Sequence, residues 1–196
     1  MTYPELSRRV RSQLGQDHRF AHTVRVARCA EILAQRHGLD AAKARLAGML
    51  HDLARLYSDD RLLRESAARG LPIGAFERAH PVLLHAPLSA AIAREAFGVH
   101  DPEVLSAIEK HTAASTDMSP LDCAVYLADS LEPGRTHPER AGQWELAQRS
   151  LDGAMRAVLR SSFAYLAHKG IEPAPQTVAA ARVFGVQEEE VRLSAS

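Results

Sequence analysis

Residues 48–54 read Gly-Met-Leu-His-Asp-Leu-Ala, with a histidine and an aspartate side by side in an apolar run. Both side chains can ligate a cation, and on a helix one projects about 100° around from the other. Similar groups recur elsewhere. His22 shares a helical face with Val26, Cys29, Ala30 and Leu33, so the spacing points it inward. Asp129 lies in CAVYLADSLEP, with Ala124, Leu127, Ala128 and Leu131 around it. Burying a carboxylate without a partner costs several kcal/mol or forces a large pKa shift. The pattern implies two such carboxylates, Asp52 and Asp129, and neither stretch carries a lysine or arginine at helical spacing. A divalent cation would neutralise them. His22, His51, Asp52 and Asp129 suit a borderline first-row metal such as iron, manganese or zinc. Taken singly, each has an ordinary reading: a hydrogen-bonded core histidine, or an aspartate that caps a helix or faces solvent. Spacing alone leaves both readings open.

Two further histidines bear on the choice. His85 follows Pro81-Val82-Leu83-Leu84 just before a helix, and His111 ends the run AIEKHT. With these added, the set could hold two metals. Asp52 could then bridge them, since one carboxylate offers two oxygens. Two ions roughly 3.5–4 Å apart can hold a hydroxide and clamp a phosphoryl oxygen. Arg135 follows Asp129 past a Pro-Gly turn and can fold back toward it. A bidentate guanidinium suits a phosphate, while a solvated loop arginine is the alternative. His80, His100, His137 and His168 read as surface or loop residues.

The elements that must carry these groups are helical. Helices are expected over 17–36 with Asp17 as cap and Gly38 as stop, from Asp40 to about 54, and over about 59–69. The segment 70–86 reads as irregular, with glycines and prolines at both ends. Pro87 fits the first turn of a helix to about 97. Asp101-Pro102 opens another that ends near His111. Further helices are expected at about 119–131, 143–168 and 176–184. No stretch alternates with period two, so the fold class is all-α. The chain reads as a single domain, residues 1–196, with its motif-bearing core over about 17–135 and C-terminal helices over about 143–193.

Composition narrows the function. Charged residues make up 24% and cancel to a formal net charge of zero, which argues against a surface that coats nucleic acid. Aromatics are only 5%, too few for a base-stacking platform. The N-terminus lacks an apolar core of signal-peptide length, and no apolar stretch approaches the roughly 20 residues of a membrane span. Cys29 and Cys123 lie in apolar segments outside any CxxC pair, as expected of buried reduced thiols in a cytoplasmic protein. An exposed apolar helix face could make a homodimer, but none is identifiable.

The ordered set H…HD…H…H…D on helices resembles the HD-domain superfamily of metal-dependent phosphohydrolases. The segments RFAHTVRVA, AGMLHDLAR, LLHAPLSA, AIEKHTAAS and YLADSLEPGR narrow this to a resemblance with the YqeK family of symmetrical diadenosine tetraphosphate hydrolases. The match runs from about Arg19 to Arg135, with a weaker echo in IEPAPQTVAAAR. The bare HD pair is weakly specific, whereas the ordered set is strongly so. The resemblance implies iron bound by His22, His51, Asp52 and Asp129, with His85 and His111 on a second metal or beside the phosphates. Manganese, cobalt or nickel are alternatives. It makes Asp52, His85 and His111 the catalytic set. It puts the nucleotide against His22, Arg19, Thr112, Asp129 and Arg135, and against a C-terminal loop bearing Glu172, Pro173, Gln176 and Thr177. The implied reaction cleaves diadenosine tetraphosphate to two ADP. Two departures stand out. Arg55 replaces the lysine usual after HD-x-A, exchanging a point charge for a planar fork. Arg182-Val183 stands where Arg-Asn is expected, which puts the adenosine contacts in doubt. Competing readings are another HD-type phosphohydrolase, a non-catalytic nucleotide-sensing module and a plain helical interaction domain. The Gly-Tyr-Pro signature of the cyclic-dinucleotide branch is missing.

Overall fold

The computed structural model describes residues 2–186, and the part of the expected C-terminal region beyond 186 lies outside them. Among the described residues every regular element is helical. In order these are α1 (Tyr3–Leu14), α2 (Asp17–Arg36), α3 (Ala41–Leu50), α4 (Asp59–Ala68), α5 (Ala75–Ala79), a 3-10 turn (Pro81–Leu84), α6 (His85–Phe97), α7 (Pro102–Lys110), α8 (Pro120–Leu131), α9 (Arg140–Ala147), α10 (Leu151–His168) and α11 (Pro175–Val183). None of these helices is long and apolar enough to cross a membrane.

Several starts follow from side-chain caps, which satisfy amides that have no partner in a helix's first turn. Asp40 accepts from Ala42 and Lys43, Ser58 from Arg61, Asp101 from Glu103 and Val104, and Ser119 from Asp122. Four expectations need correction. Asp17 is the first residue inside α2, with Gln16 at the cap position. An additional helix, α1, precedes it. Its inward stripe is only Leu6, Val10 and Leu14, among charged and polar neighbours. The expected helix over 143–168 is broken. Ser150 caps a new start by accepting from Gly153, so α9 and α10 are separate. Within 70–86 the chain forms α5 and the 3-10 turn, and α6 begins at His85.

The remaining difference matters most for the site. The helix expected to run to about 54 ends at Leu50, and His51 is its C-cap. The His51 Nδ1 binds the Gly48 carbonyl at 2.7 Å, one of the carbonyls left without an amide at a helix end. The chain then turns tightly, with Arg55 N–H donating to Asp52 O and Tyr57 N–H to Ala54 O.

Helix α2 packs on α3 and α8, α3 also on α7, and α7 on α6 and α8. Two apolar clusters fill the interior. Helix α8 serves both, giving Leu121, Val125 and Ala128 to one and Cys123, Ala124, Tyr126, Leu127 and Leu131 to the other. The α2–α3 crossing is the closest-fitted part. A Cβ on Gly48 would lie 2.7 Å from the Cα of Ala27 and 3.0 Å from its nitrogen. Those are backbone atoms, so the helices would have to separate. Gly48→Ala should therefore cost about 1–3 kcal/mol in denaturant titration. Gly142→Ala in α9, with open space around it, should be neutral or stabilising by up to about 1 kcal/mol. Burial pushes the thiols of Cys29 and Cys123 up to about 11 and about 12. Neither should react with a thiol reagent at neutral pH until the protein unfolds.

Candidate metal and phosphate site

Four histidines from four parts of the chain converge with their Nε2 atoms inward. His51 and His111 stand at the ends of α3 and α7, and His85 opens α6. In each, Nδ1 meets the carbonyl three residues back: Gly48 at 2.7 Å, Ile108 at 2.7 Å, and Val82. A carbonyl only accepts, so Nδ1 carries a proton and the lone pair of each neutral ring is on Nε2. His22, mid-helix in α2, has its Nδ1 3.0 Å from Glu132 Oε1. All four imidazoles are buried.

Asp52 sits at their centre, with its side chain 4% exposed. Its oxygens face different pairs. Oδ2 is 3.3 Å from His51 Nε2 and 3.7 Å from His22 Nε2; Oδ1 is 3.4 Å from His85 Nε2 and 3.8 Å from His111 Nε2. Asp129 Oδ1 lies 3.1 Å from His22 Nε2 and 3.9 Å from His51 Nε2. Asp129 is less enclosed than its apolar neighbours suggest, with its side chain 20% exposed. The neutralising cations arrive from outside these helices, beyond the reach of helical spacing. Arg19 Nη1 is 2.9 Å from Asp52 Oδ2, and Arg135 Nη2 is 2.6 Å from Asp129 Oδ1. Arg135 thus folds back as expected, with Nε also donating to the Asp129 carbonyl at 2.9 Å.

Local potential is correspondingly uneven. Burial works against a charged His51, but the carboxylates of Asp52 and Asp129 outweigh it and raise its pKa to about 9. Burial and the neighbouring imidazoles His51 and His85 drive His111 down to about 3. Burial likewise lowers His85, helped by the Arg55 guanidinium and opposed by Asp52. Burial would raise Asp52, but His51, His111 and His85 hold it well below the usual carboxylate range.

The residues fit a cation. The Nε2 atoms of His22 and His51 are buried without a hydrogen bond, an uncommon condition for buried polar atoms. His22, His51 and Asp129 bring donor atoms within 4.8 Å of one another, and so do His51, Asp52 and His111. The Nε2 atoms of His85 and His111 face each other at 3.1 Å. With both Nδ1 atoms protonated, two lone pairs meet there, and a proton or a metal must lie between or beside them. The Thr112 hydroxyl, 3.1 Å from one and 2.9 Å from the other, can donate to only one.

The other expected residues are more dispersed. Arg55 is half-buried and its charge reaches His85. Thr177 is buried and donates to the Ala113 carbonyl at 2.8 Å, which ties α11 to the turn after His111. Its hydroxyl is therefore occupied by the backbone. Pro173 and Gln176 are half-buried, and Glu172 is exposed. His80 stacks on Phe76, with ring centroids 4.4 Å apart. Sequence reasoning passed over Glu132, whose side chain is 2% exposed and which joins His22 to Arg25. The available signal was a third acid, three residues after Asp129, closing an apolar helix.

The sequence profile of the HD domain matches residues 19–134. The chain belongs to the HD-domain family. Within this HD family it groups with the YqeK-like members. It is 32% identical to the symmetrical bis(5'-nucleosyl)-tetraphosphatase of Bacillus subtilis, over 86% of this chain and 89% of that one. To the enzyme of that name from Staphylococcus aureus it is 29% identical, over 96% and 97%. The crystal structure of a predicted HD superfamily hydrolase involved in NAD metabolism from Clostridium acetobutylicum superposes with a TM-score of 0.89. It is 27% identical, covering 94% of this chain and 97% of that one. HD-family membership and the convergent donors agree on a metal-dependent hydrolase.

Manganese(II) at a hundredfold excess over its dissociation constant should stabilise the HD fold by about 2.7 kcal/mol, or roughly 5–10 °C in melting temperature. His51→Ala should lose that shift. A wild-type melt unmoved by manganese, iron, cobalt and nickel alike would contradict the fit.

Proposed function

We propose that this HD protein hydrolyses diadenosine tetraphosphate symmetrically to two ADP, with residues 1–196 acting as one domain in the cytoplasm. The observation that carries the reading is Asp52, buried with one oxygen toward His22 and His51 and the other toward His85 and His111. That division suits a carboxylate shared between two cations. The relatives from Bacillus subtilis and Staphylococcus aureus, named symmetrical tetraphosphatases, support the substrate and the position of cleavage.

On this reading His22, His51, Asp52 and Asp129 hold the principal metal, and His85 and His111 a second metal or the phosphate side. The mixed nitrogen and oxygen set suits iron, with manganese, cobalt or nickel as substitutes. When bound, the metal supplies Lewis-acid chemistry, acidifying a water and polarising phosphoryl oxygens.

The protein's own groups do the rest. The backbone-held imidazoles present fixed lone pairs, so no reorganisation is needed when the site fills. Arg135, at the half-exposed edge, and Arg19 bind phosphoryl oxygens and stabilise charge that develops on them. Arg55, beside His85, adds a third guanidinium for the chain of phosphates. Thr112 Oγ donates a hydrogen bond at the His85–His111 pair. The segment bearing Glu172, Pro173, Gln176 and Thr177 lies toward the nucleotide, with Thr177 anchoring it to Ala113. An ADP leaving group is a good one, so no separate acid is required of the chain.

The test is direct. Purified protein supplied with iron or manganese should convert diadenosine tetraphosphate to ADP alone. ATP plus AMP as products would rule out symmetrical cleavage, and no turnover with any divalent metal would refute the enzyme reading. Asp52→Ala should abolish turnover while far-ultraviolet circular dichroism shows the helices retained.

A further inference from the structure

Three of the four inward histidines take their orientation from the backbone. His51, His85 and His111 each have Nδ1 on the carbonyl three residues earlier, and each stands where a helix or turn begins or ends. Carbonyls at a helix end lack an amide partner, and in the turn before α6 the Val82 carbonyl takes the His85 amide and meets its ring as well. His22 has no such option. It lies inside α2, where neighbouring carbonyls are committed to the helix. Its Nδ1 is met instead by a carboxylate from another element, Glu132 Oε1 at 3.0 Å.

Glu132 is held so that it cannot turn away. It is 2% exposed, immediately after α8. Arg25 donates to it from Nε and from Nη2, and the Gly134 amide donates to the second oxygen. The turn is tight. A Cβ on Gly134 would sit 2.4 Å from Arg25 Nη2 and 2.8 Å from Glu132 Oε1. The result is a relay, Arg25 to Glu132 to His22, that ends on an Nε2 with no hydrogen bond of its own.

We propose that Glu132 is the positioning residue of the metal site: it fixes His22 as the Nδ1–H tautomer and strengthens its Nε2 as a donor. A carboxylate acceptor does both, since it orients the ring and raises the basicity of the far nitrogen more than a carbonyl does. Arg25 keeps the buried carboxylate satisfied when the site is empty. The inference rests on the metal-site reading above but not on the choice of substrate.

Manganese(II) affinity, measured without substrate by electron paramagnetic resonance titration, separates this role from a merely structural one. Glu132→Ala should weaken binding about 10–100-fold. Glu132→Gln, nearly the same shape but with one oxygen for four donors, should weaken it several-fold. Arg25→Met, which leaves the Glu132–His22 bond in place, should stay within about threefold of wild type, the lower end of the coupling between residues of one network. Wild-type affinity in Glu132→Gln would overturn the proposal. So would an equal loss in Arg25→Met and Glu132→Ala, or a lower melting temperature in Glu132→Ala with unchanged affinity. Wild-type protein that binds no manganese would instead overturn the metal reading. Protein that binds manganese but leaves diadenosine tetraphosphate intact would remove only the substrate assignment.

Discussion

A carboxylate with 4% of its side chain exposed is the constraint around which this molecule is built. Left alone, Asp52 would cost several kcal/mol or take up a proton. The chain does neither. It surrounds the carboxylate with four imidazoles and one guanidinium, drawn from α2, the α3 end, α6 and the α7 end. Those partners are far apart in sequence, so the fold must bring their helices together before the charge is tolerable. Helix packing and site assembly are thus the same event.

Geometry at helix ends does much of that work. A helix that ran on through 51–54 would send Asp52 around its own cylinder and bury the Gly48 carbonyl in a regular bond. Ending at Leu50 frees that carbonyl for His51 Nδ1 and lets the next turn aim Asp52 at the four imidazoles. The end of α7 repeats the device with His111 and Ile108. Gly48 has a second duty, because its missing side chain lets the α3 backbone touch α2 at Ala27, which brings His51 beside His22. A residue quoted from the motif only for its neighbours thus sets the distance between two candidate ligands.

Much of this was legible in the sequence. Capping residues marked the starts of α3, α4 and α7, and the inward face of α2 announced His22 because its other members are apolar. The histidines and aspartates were found because each interrupts an apolar pattern. What escaped was of two kinds. Helix α1 buries only Leu6, Val10 and Leu14, so a sparse apolar stripe was lost among arginines. The neutralising partners Arg19, Arg25 and Arg135 were missed or left open because they act across elements. Periodicity within one helix reports only neighbours on that helix. Glu132 was passed over for the same reason. Its reason for being buried, a histidine on α2, is 110 residues away in sequence.

Charge balance ties the cage to its proposed ligands. Three guanidiniums pair with three carboxylates: Arg19 with Asp52, Arg25 with Glu132, and Arg135 with Asp129. These pairs cancel, so a cation must compete with arginine for Asp52 and Asp129. The competition is uneven. Arg19 and Arg135 each touch a candidate ligand, while Arg25 touches a carboxylate one step removed. A cation that takes Asp52 and Asp129 therefore frees two guanidiniums beside the cage and leaves the third where it is. The freed pair, together with the cations, adds positive charge at the place where a polyphosphate would bring negative charge. Metal and phosphate chain are then complementary ligands, each making the other's charge tolerable in a buried site. Glu132 keeps its own arginine throughout, which is what a group that must hold His22 steady before and after loading requires.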